Sequence, residues 1–325
     1  MTLFRAAARL LLWSALLLPF VGSARAETFP SRPIHLIMPY APGGIIDFAG
    51  RVVAQKLGEV LGETVVAENR PGAGGIVGVD YVAHSDPDGY NIVIMDPAYV
   101  INPILQKSMP YDIFKDLVSV SIVNSSPEVL VATPALGIKT YSDLVAYGKA
   151  NPGKLNYASA GVGTTPHLAA AMWAQRTGID AVHVPYKGVG PSYTDLMSGK
   201  VQILFSSIAG ALPFTSVGKV IALATTGDTR SPVYPNLPTV AEAGLPGYSV
   251  DLWLGLYAPA AVPPDVLATL NNGVRKALQD EQLKAAFAKY GLTPRGTTLP
   301  ESAAFTKSEF AKWKKVIDDG HITLD

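Results

Sequence analysis

The sequence predicts an α/β protein of two lobes, each built from strands alternating with helices, the lobes joined by two crossing segments. Three observations predict it. Between Ile34 and Met95 short apolar runs alternate with stretches of helical spacing, the pattern of a parallel sheet with helices on its faces. The alternation breaks at Asn124-Ser125-Ser126-Pro127 and then resumes, as it would if the chain passed into a second sheet. Each half also places a glycine-rich turn directly after an early strand, Pro39 to Asp47 in the first and Ser159 to His167 in the second.

The first strand, Ile34–Met38, is apolar except for His35 and reads as a buried parallel strand. Ile46, Ala49, Val53, Leu57 and Leu61 then recur at three- and four-residue steps, one face of a helix that stops near Gly62. Residues 64–68 form a second strand, a helix runs over about 75–84, and Asn91–Met95 is a third strand after the turn Pro87-Asp88-Gly89-Tyr90. Asn102-Pro103 and Met109-Pro110-Tyr111-Asp112 punctuate a loop region. Residues 118–123 and 129–132 are β-prone runs on either side of the first crossing. In the second lobe a helix over Tyr141–Ala150 is capped by Thr140 or Ser142, and residues 155–158 are a strand. After the second glycine-rich turn a helix runs to Arg176, with Gly178 as its stop. Strands over 182–184, 201–205 and 220–224 and a short helix over 193–198 complete that lobe. Residues 252–258 make the return crossing, followed by helices over about 264–279, one that ends at Gly291, and 300–318. The first lobe is therefore discontinuous, residues 27–126 and 250–325, and the second is 127–249.

Residues 1–26 belong to neither lobe. Arg5 and Arg9 give a basic start, residues 10–20 are an apolar core too short for the roughly 20 residues a bilayer needs, and Ala24-Arg25-Ala26 is a small-x-small cleavage site. Cleavage after Ala26 predicts a soluble, exported, periplasmic product. The chain has 325 residues and no cysteine, so an exported form rests on its core rather than on disulfides. Losing Arg5, Arg9 and Arg25 from a chain of formal charge zero leaves 23 basic against 26 acidic residues, a net of −3. With no basic run, nucleic-acid binding has no electrostatic support. The histidines are scattered, without the spacing of a zinc site, and Gly72-Ala73-Gly74-Gly75-Ile76-Val77-Gly78 misses the dinucleotide fingerprint by one residue. It reads instead as a turn lining the same cleft, and no metal or cofactor is expected.

Two glycine-rich turns, one per lobe, are the candidate site. Gly43 and Gly44 leave backbone N–H groups unhindered at a helix N-terminus, where free amides and the dipole favour an anion. A connector that binds nothing would look the same from this turn alone. In the second turn Thr165 sits where an N-cap belongs, Pro166 suits the first helical position, and Ser159 and Thr164 add hydroxyl donors. Facing each other across a cleft, the turns would each present donors to one end of a small anion. The ligand-binding set is then Tyr40, Ala41, Pro42, Gly43, Gly44 and Asp47 with Ser159, Ala160, Gly161, Gly163, Thr164 and Thr165. Asp47 in a first helical turn complements the dipole, and His167 reads as a hydrogen-bonded structural histidine.

In combination these motifs resemble the extracytoplasmic solute receptors of the tripartite tricarboxylate transporter family, also called the Bug family. The residues are Pro39-Tyr40-Ala41-Pro42-Gly43-Gly44 with Asp47 and Arg51, Glu68-Asn69-Arg70-Pro71-Gly72-Ala73-Gly74-Gly75, Pro87-Asp88-Gly89-Tyr90, Ile101-Asn102-Pro103, Pro110-Tyr111-Asp112, Ser159-Ala160-Gly161-Val162-Gly163-Thr164, Val184-Pro185-Tyr186-Lys187-Gly188, Leu237-Pro238-Thr239 with Glu242-Ala243-Gly244, and Trp253-Leu254-Gly255. The resemblance covers nearly the whole mature chain. It implies a type II periplasmic-binding-protein fold, two Rossmann-like domains joined by two crossover segments. It further implies a monomer that holds a small organic carboxylate (a di- or tricarboxylate, an amino acid or an aromatic acid) and passes it to a two-component membrane permease. Ile45-Ile46 and Asp96-Pro97-Ala98-Tyr99 depart from the family's usual pattern. The competing readings are a periplasmic hydrolase or isomerase, for which Asp47, His167 and Ser206 are the candidate groups, and a receptor that reports to a sensor kinase.

Overall fold

The computed structural model describes residues 28–186 and 188–324, so the expected cleavage site after Ala26 lies outside the described residues. Two sheets carry the fold. In the first, β1 (Ile34–Met38) lies between β2 (Val65–Asn69) and β3 (Asn91–Met95), parallel to both, with Ile34 opposite Val65 and His35 opposite Asn91. Only His35 in β1 escapes full burial, as an apolar run in a two-sided layer requires. The helix α1 (Ile45–Leu61) buries Ile46, Ala49, Val53 and Leu57 against this sheet and stops at Gly62, whose φ of +75° makes the left-handed cap. Next come α2 (Ile76–Ala83) and, after β3, α3 (Ala98–Leu105).

The chain then runs along β4 (Leu117–Ser125), crosses at Ser126-Pro127 and enters β5 (Glu128–Ala132) of the second sheet. That sheet has the order β7-β6-β8-β5-β9, from β6 (Leu155–Ser159), β7 (Ala181–Pro185), β8 (Ile203–Ser207) and β9 (Ile221–Thr225). Its helices are α4 (Tyr141–Ala150), α5 (Thr165–Thr177), α6 (Val189–Ser198) and α7 (Ile208–Thr215). The return strand β10 (Leu254–Pro259) inserts between β3 and β4, and α8 (Pro264–Ala277), α9 (Glu281–Ala288), β11 (Thr293–Pro294) and α10 (Leu299–Asp319) complete the first layer.

Both sheets are mixed rather than parallel. Each strand that arrives from a crossing, β10 in one sheet and β5 in the other, runs antiparallel to both its neighbours. Other differences from the sequence reading are local. The loop expected around Asn102-Pro103 is the helix α3, because Asp96 accepts the Ala98 N–H (3.0 Å) and Tyr99, Val100 and Ile101 bury; Pro103 falls near its end, where little of the hydrogen-bond ladder is lost. The helix α7 lies where none was expected, capped by Ser207, which accepts from the Gly210 N–H (3.2 Å). At α5 the cap falls on Thr164, not Thr165. Its hydroxyl turns back to the Gly161 carbonyl (2.7 Å), so Thr165 and Pro166 are the first two helical residues.

A single apolar cluster joins the lobes, from Ile37, Val93 and Met95 through Trp253 and Trp313 to Trp173, Phe205 and Tyr248. Buried Glu309 ties its centre, accepting from the indoles of Trp253 (2.9 Å) and Trp313 (3.2 Å). Tryptophan can bury fully only where its N–H finds such a partner.

Candidate functional site between the lobes

A cavity of about 460 Å³ lies between the two sheets. Its walls include Tyr40, Ala73, Gly74, Asp96 and Asn102 from the first lobe. From the second come Glu128, Ala160, Val162 and the run from Gly163 to Pro166. Leu105 of α3 closes on Gly163 across the gap: a Cβ built on Gly163 would lie 2.5 Å from the Leu105 Cδ1, and its φ is +77°. A smaller hollow of about 190 Å³ shares Ser207 and Leu252 with the first and is lined by Gly43, Gly44, Ile45, Phe48 and Tyr290.

Of the residues expected at the site, Tyr40, Ala160, Gly163, Thr164 and Thr165 therefore meet in one cavity, and Gly43 and Gly44 face the side hollow. Ala41 and Pro42 are exposed and line neither. Asp47, Ser159 and Gly161 also stand outside both walls, for reasons visible in their partners. Asp47 accepts from Gly43 N–H (3.1 Å), Arg51 (3.0 Å) and Asn69 (3.0 Å), and the Arg51 hydrogen bond above all holds its carboxyl at about 2. Asn69, the last residue of β2, also donates to the Tyr40 carbonyl (3.0 Å), so strand and turn are latched together. Ser159 is fully buried, with Oγ 2.7 Å from the His183 Nε2 and accepting the Gly161 N–H at 3.1 Å.

Of the glycine amides the sequence promised as free donors, only that of Gly44, at the side hollow, makes no hydrogen bond among the described residues. Gly43 gives its N–H to Asp47, Gly161 to Ser159, and Gly163 to the Nδ1 of His167 (3.0 Å). At the main cavity the open donors are one step further on, at the start of α5. The N–H groups of Thr165 and His167 make no backbone hydrogen bond among the described residues, and Thr165 lines the cavity. His167 and His183 stack at 3.8 Å beneath this turn. Burial pushes their imidazoles down, to about 3 for His167 and about 4 for His183, so both are neutral at pH 7.

The first-lobe wall is tied by Asp96, whose Oδ1 accepts from the Tyr40 hydroxyl (3.1 Å) and the Ala98 N–H; burial raises its pKa. Asn102 donates to the Gly74 carbonyl (3.0 Å), bringing the near-fingerprint turn 72–75 to the cavity edge. Among the described residues no Lys, Arg or His lines the cavity. The sequence reading missed Asp96, Asn102, Glu128 and Ser207. The Asp96-Pro97 pair was a helix-start signal, and Glu128 is a lone acid opening an apolar strand.

The groups a hydrolase or isomerase would use do not assemble. Asp47 is engaged in the first lobe, His167 is spent on Gly163, and buried Ser206 accepts from the Tyr193 hydroxyl (2.9 Å); none of the three lines the cavity. Among the described residues no cluster of three or more His, Asp or Glu is placed to hold a metal ion, and no helix is long and apolar enough to cross a membrane.

Known proteins resemble this chain in sequence and in fold. The chain is 37% identical over 294 residues to a UPF0065 protein from the tcbD–tcbE intergenic region of Pseudomonas sp., covering 90% of this chain and 88% of that one. It is 36% identical to Protein BugT of Bordetella pertussis, covering 90% of each. Among solved structures, R. palustris Rpa4515 with adipate superposes with a TM-score of 0.78 at 31% identity, over 91% of this chain and 99% of that one. MatC from Rhodopseudomonas palustris with bound malate gives 0.70 at 29% identity, over 89% and 100%. Both the fold and the relatives are those of solute-binding proteins rather than enzymes. The profile of the tripartite tricarboxylate transporter family receptor matches residues 49–322, and with a two-lobed frame around one shared cavity the chain belongs to that family of solute receptors.

Proposed function

We propose that the protein is an exported receptor that closes around one small organic carboxylate and catalyses nothing. The observation that carries this reading is the start of α5. Its unpaired amide at Thr165, with the unpaired His167 N–H two residues further on, stands at a cavity whose far wall, Tyr40, Gly74 and Asn102, belongs to the other lobe. Helix-start amides hold a carboxylate through partial charges and leave no buried ion pair to break on release. The relatives solved with adipate and malate support the anion class. The ligand stabilises the closed form because only that form brings both walls to it. Lobe boundaries at 126–127 and 249–250, a leader removed after Ala26, and delivery to a two-component permease complete the proposal.

Isothermal calorimetry with malate, adipate, citrate, glutamate and benzoate tests it. At least one of these anions binds with 1:1 stoichiometry. Failure of every anion, together with binding of an uncharged solute, overturns the carboxylate assignment.

A further inference from the structure

Glu128 opens β5 immediately after the first crossing and is 1% exposed. Thr226 satisfies its backbone: the Glu128 N–H donates to the Thr226 Oγ1 (2.7 Å), and the Glu128 carbonyl accepts from the Thr226 N–H (2.9 Å). Its carboxyl is different. Oε2 is buried without a hydrogen-bond partner, although the residue forms part of the cavity wall. A buried carboxyl left unpaired is costly and uncommon, and this one stands in a cavity wall where a donor on a guest could reach it.

We infer that Glu128 is a specificity-determining residue that receives an amino group, so that the guest is a carboxylic acid carrying an ammonium, of the amino-acid class. The inference rests on the receptor reading above. Charge makes the choice. The cavity wall holds two acids, Glu128 and Asp96, and no Lys, Arg or His among the described residues. The Asp96 Oδ1 is already served by Tyr40 and Ala98, whereas no group on the wall serves Glu128. The second carboxylate of a plain dicarboxylate would find no cation among the described wall residues to meet it. A zwitterion brings its own: its carboxylate goes to the amides at the start of α5 and its ammonium to Glu128.

Protonation adds a second readout. Burial first, then the neighbouring Asp251, raises the Glu128 carboxyl to about 8, so without a guest it is largely protonated at pH 7. Among the described residues Asp251 on the return crossing, Tyr193 of α6 and Tyr248 are the other titratable groups that face it, and none of these is cationic. An arriving ammonium favours the carboxylate, and the proton lost from Glu128 passes to the buffer.

The test is calorimetry with matched probes, glutamate against glutarate and 2-aminoadipate against adipate, at pH 7 in phosphate and in Tris. The expected result is tighter binding of the amino member of at least one pair, with a heat that differs between buffers as proton release requires. Glu128→Gln keeps the volume, should weaken the amino probe by at least about tenfold and should abolish the buffer dependence. Should that variant not fold, Glu128→Leu, which buries no polar atom, takes its place. Binding of glutarate or adipate as tight as their amino counterparts overturns the assignment of Glu128 and leaves the receptor reading standing. Binding of no probe of either kind, with an uncharged solute bound instead, overturns both.

Discussion

Asp47 and His167 hold the same position in their two turns. Each is the third residue of its helix, and each accepts the N–H of the glycine four residues before it, Gly43 at 3.1 Å and Gly163 at 3.0 Å. The geometry is shared and the chemistry is not. In the first lobe the acceptor is an ionised carboxylate, paired with Arg51 at 2.8 Å near the surface. In the second it is a neutral imidazole, stacked on His183 and buried. A surface ion pair is screened by salt and contributes little, whereas a buried neutral acceptor is insensitive to salt and fails when it takes a proton. The turn whose open amide lines the cavity is thus the one kept free of ionised groups, and under the proposed function a carboxylate there would meet no competing charge from its own support.

Gly163→Ala separates the turns most sharply. It adds a Cβ at φ +77° that meets Leu105 of the facing lobe, so it both strains the turn and holds the cleft apart. We expect a loss of about 1–3 kcal/mol of stability and of at least about tenfold in affinity, read by thermal melting and calorimetry. Gly43→Ala also lies at positive φ, +96°, but has open space around it, and should lose stability with much less effect on binding. Equal losses of affinity in the two variants would break the distinction.

Acid is the next probe. The two histidines titrate near 6.5 when unfolded and at about 3 and 4 when folded, so the unfolded chain binds more protons as pH falls below 6.5. Their contribution is complete above pH 6.5 and is lost as pH falls toward 4. Glu128 works in the opposite sense: its folded value of about 8 stands above its unfolded one near 4.5, so its contribution is present at low pH and lost as pH rises through 8. Between pH 4.5 and 6.5 the two histidines make the melting temperature rise with pH, against Glu128 and against Asp96 and Asp251, whose carboxyls are also raised by burial. His183→Gln should flatten that rise and Glu128→Gln should steepen it. A melting temperature unchanged between pH 5 and 7 in all three proteins would contradict this.

Smaller effects follow. Thr165→Val removes a hydroxyl from the cavity wall and should weaken ligand binding by about three- to tenfold with little change in stability. Asp47→Asn loses the Arg51 pair but keeps an acceptor for Gly43. It should cost about 0.5–1 kcal/mol, shrinking as salt is raised, and should leave affinity nearly unchanged. A Thr165→Val variant that binds normally, beside an Asp47→Asn variant that does not, would reverse the roles of the two turns.

Much of this was legible before any coordinates. The apolar run at Ile34–Met38, the spacing of α1 and the break at Ser126-Pro127 carry the two-sheet plan, because periodicity reports burial directly. The glycine-rich turns were legible as backbone that comes to a shared cleft, and they line its two cavities. Which amides stay open was not, since that depends on side chains that fold back: Asp47 and His167 onto their glycines, Ser159 onto Gly161. Strand direction was hidden for a similar reason. β5 and β10 look like any apolar run, and only the path of the chain between lobes makes them antiparallel. Asp96, Asn102 and Glu128 are single polar residues whose meaning comes from what surrounds them in space.

The most direct measurement is a crystal structure of the protein with whichever of malate, adipate or glutamate binds. The account predicts carboxylate oxygens about 2.7–3.2 Å from the N–H groups of Thr165 or His167, with the same molecule touching Tyr40, Gly74 or Asn102 of the other lobe. A ligand that contacts one lobe alone, or that sits in the hollow beside Phe48 and Tyr290, would contradict it.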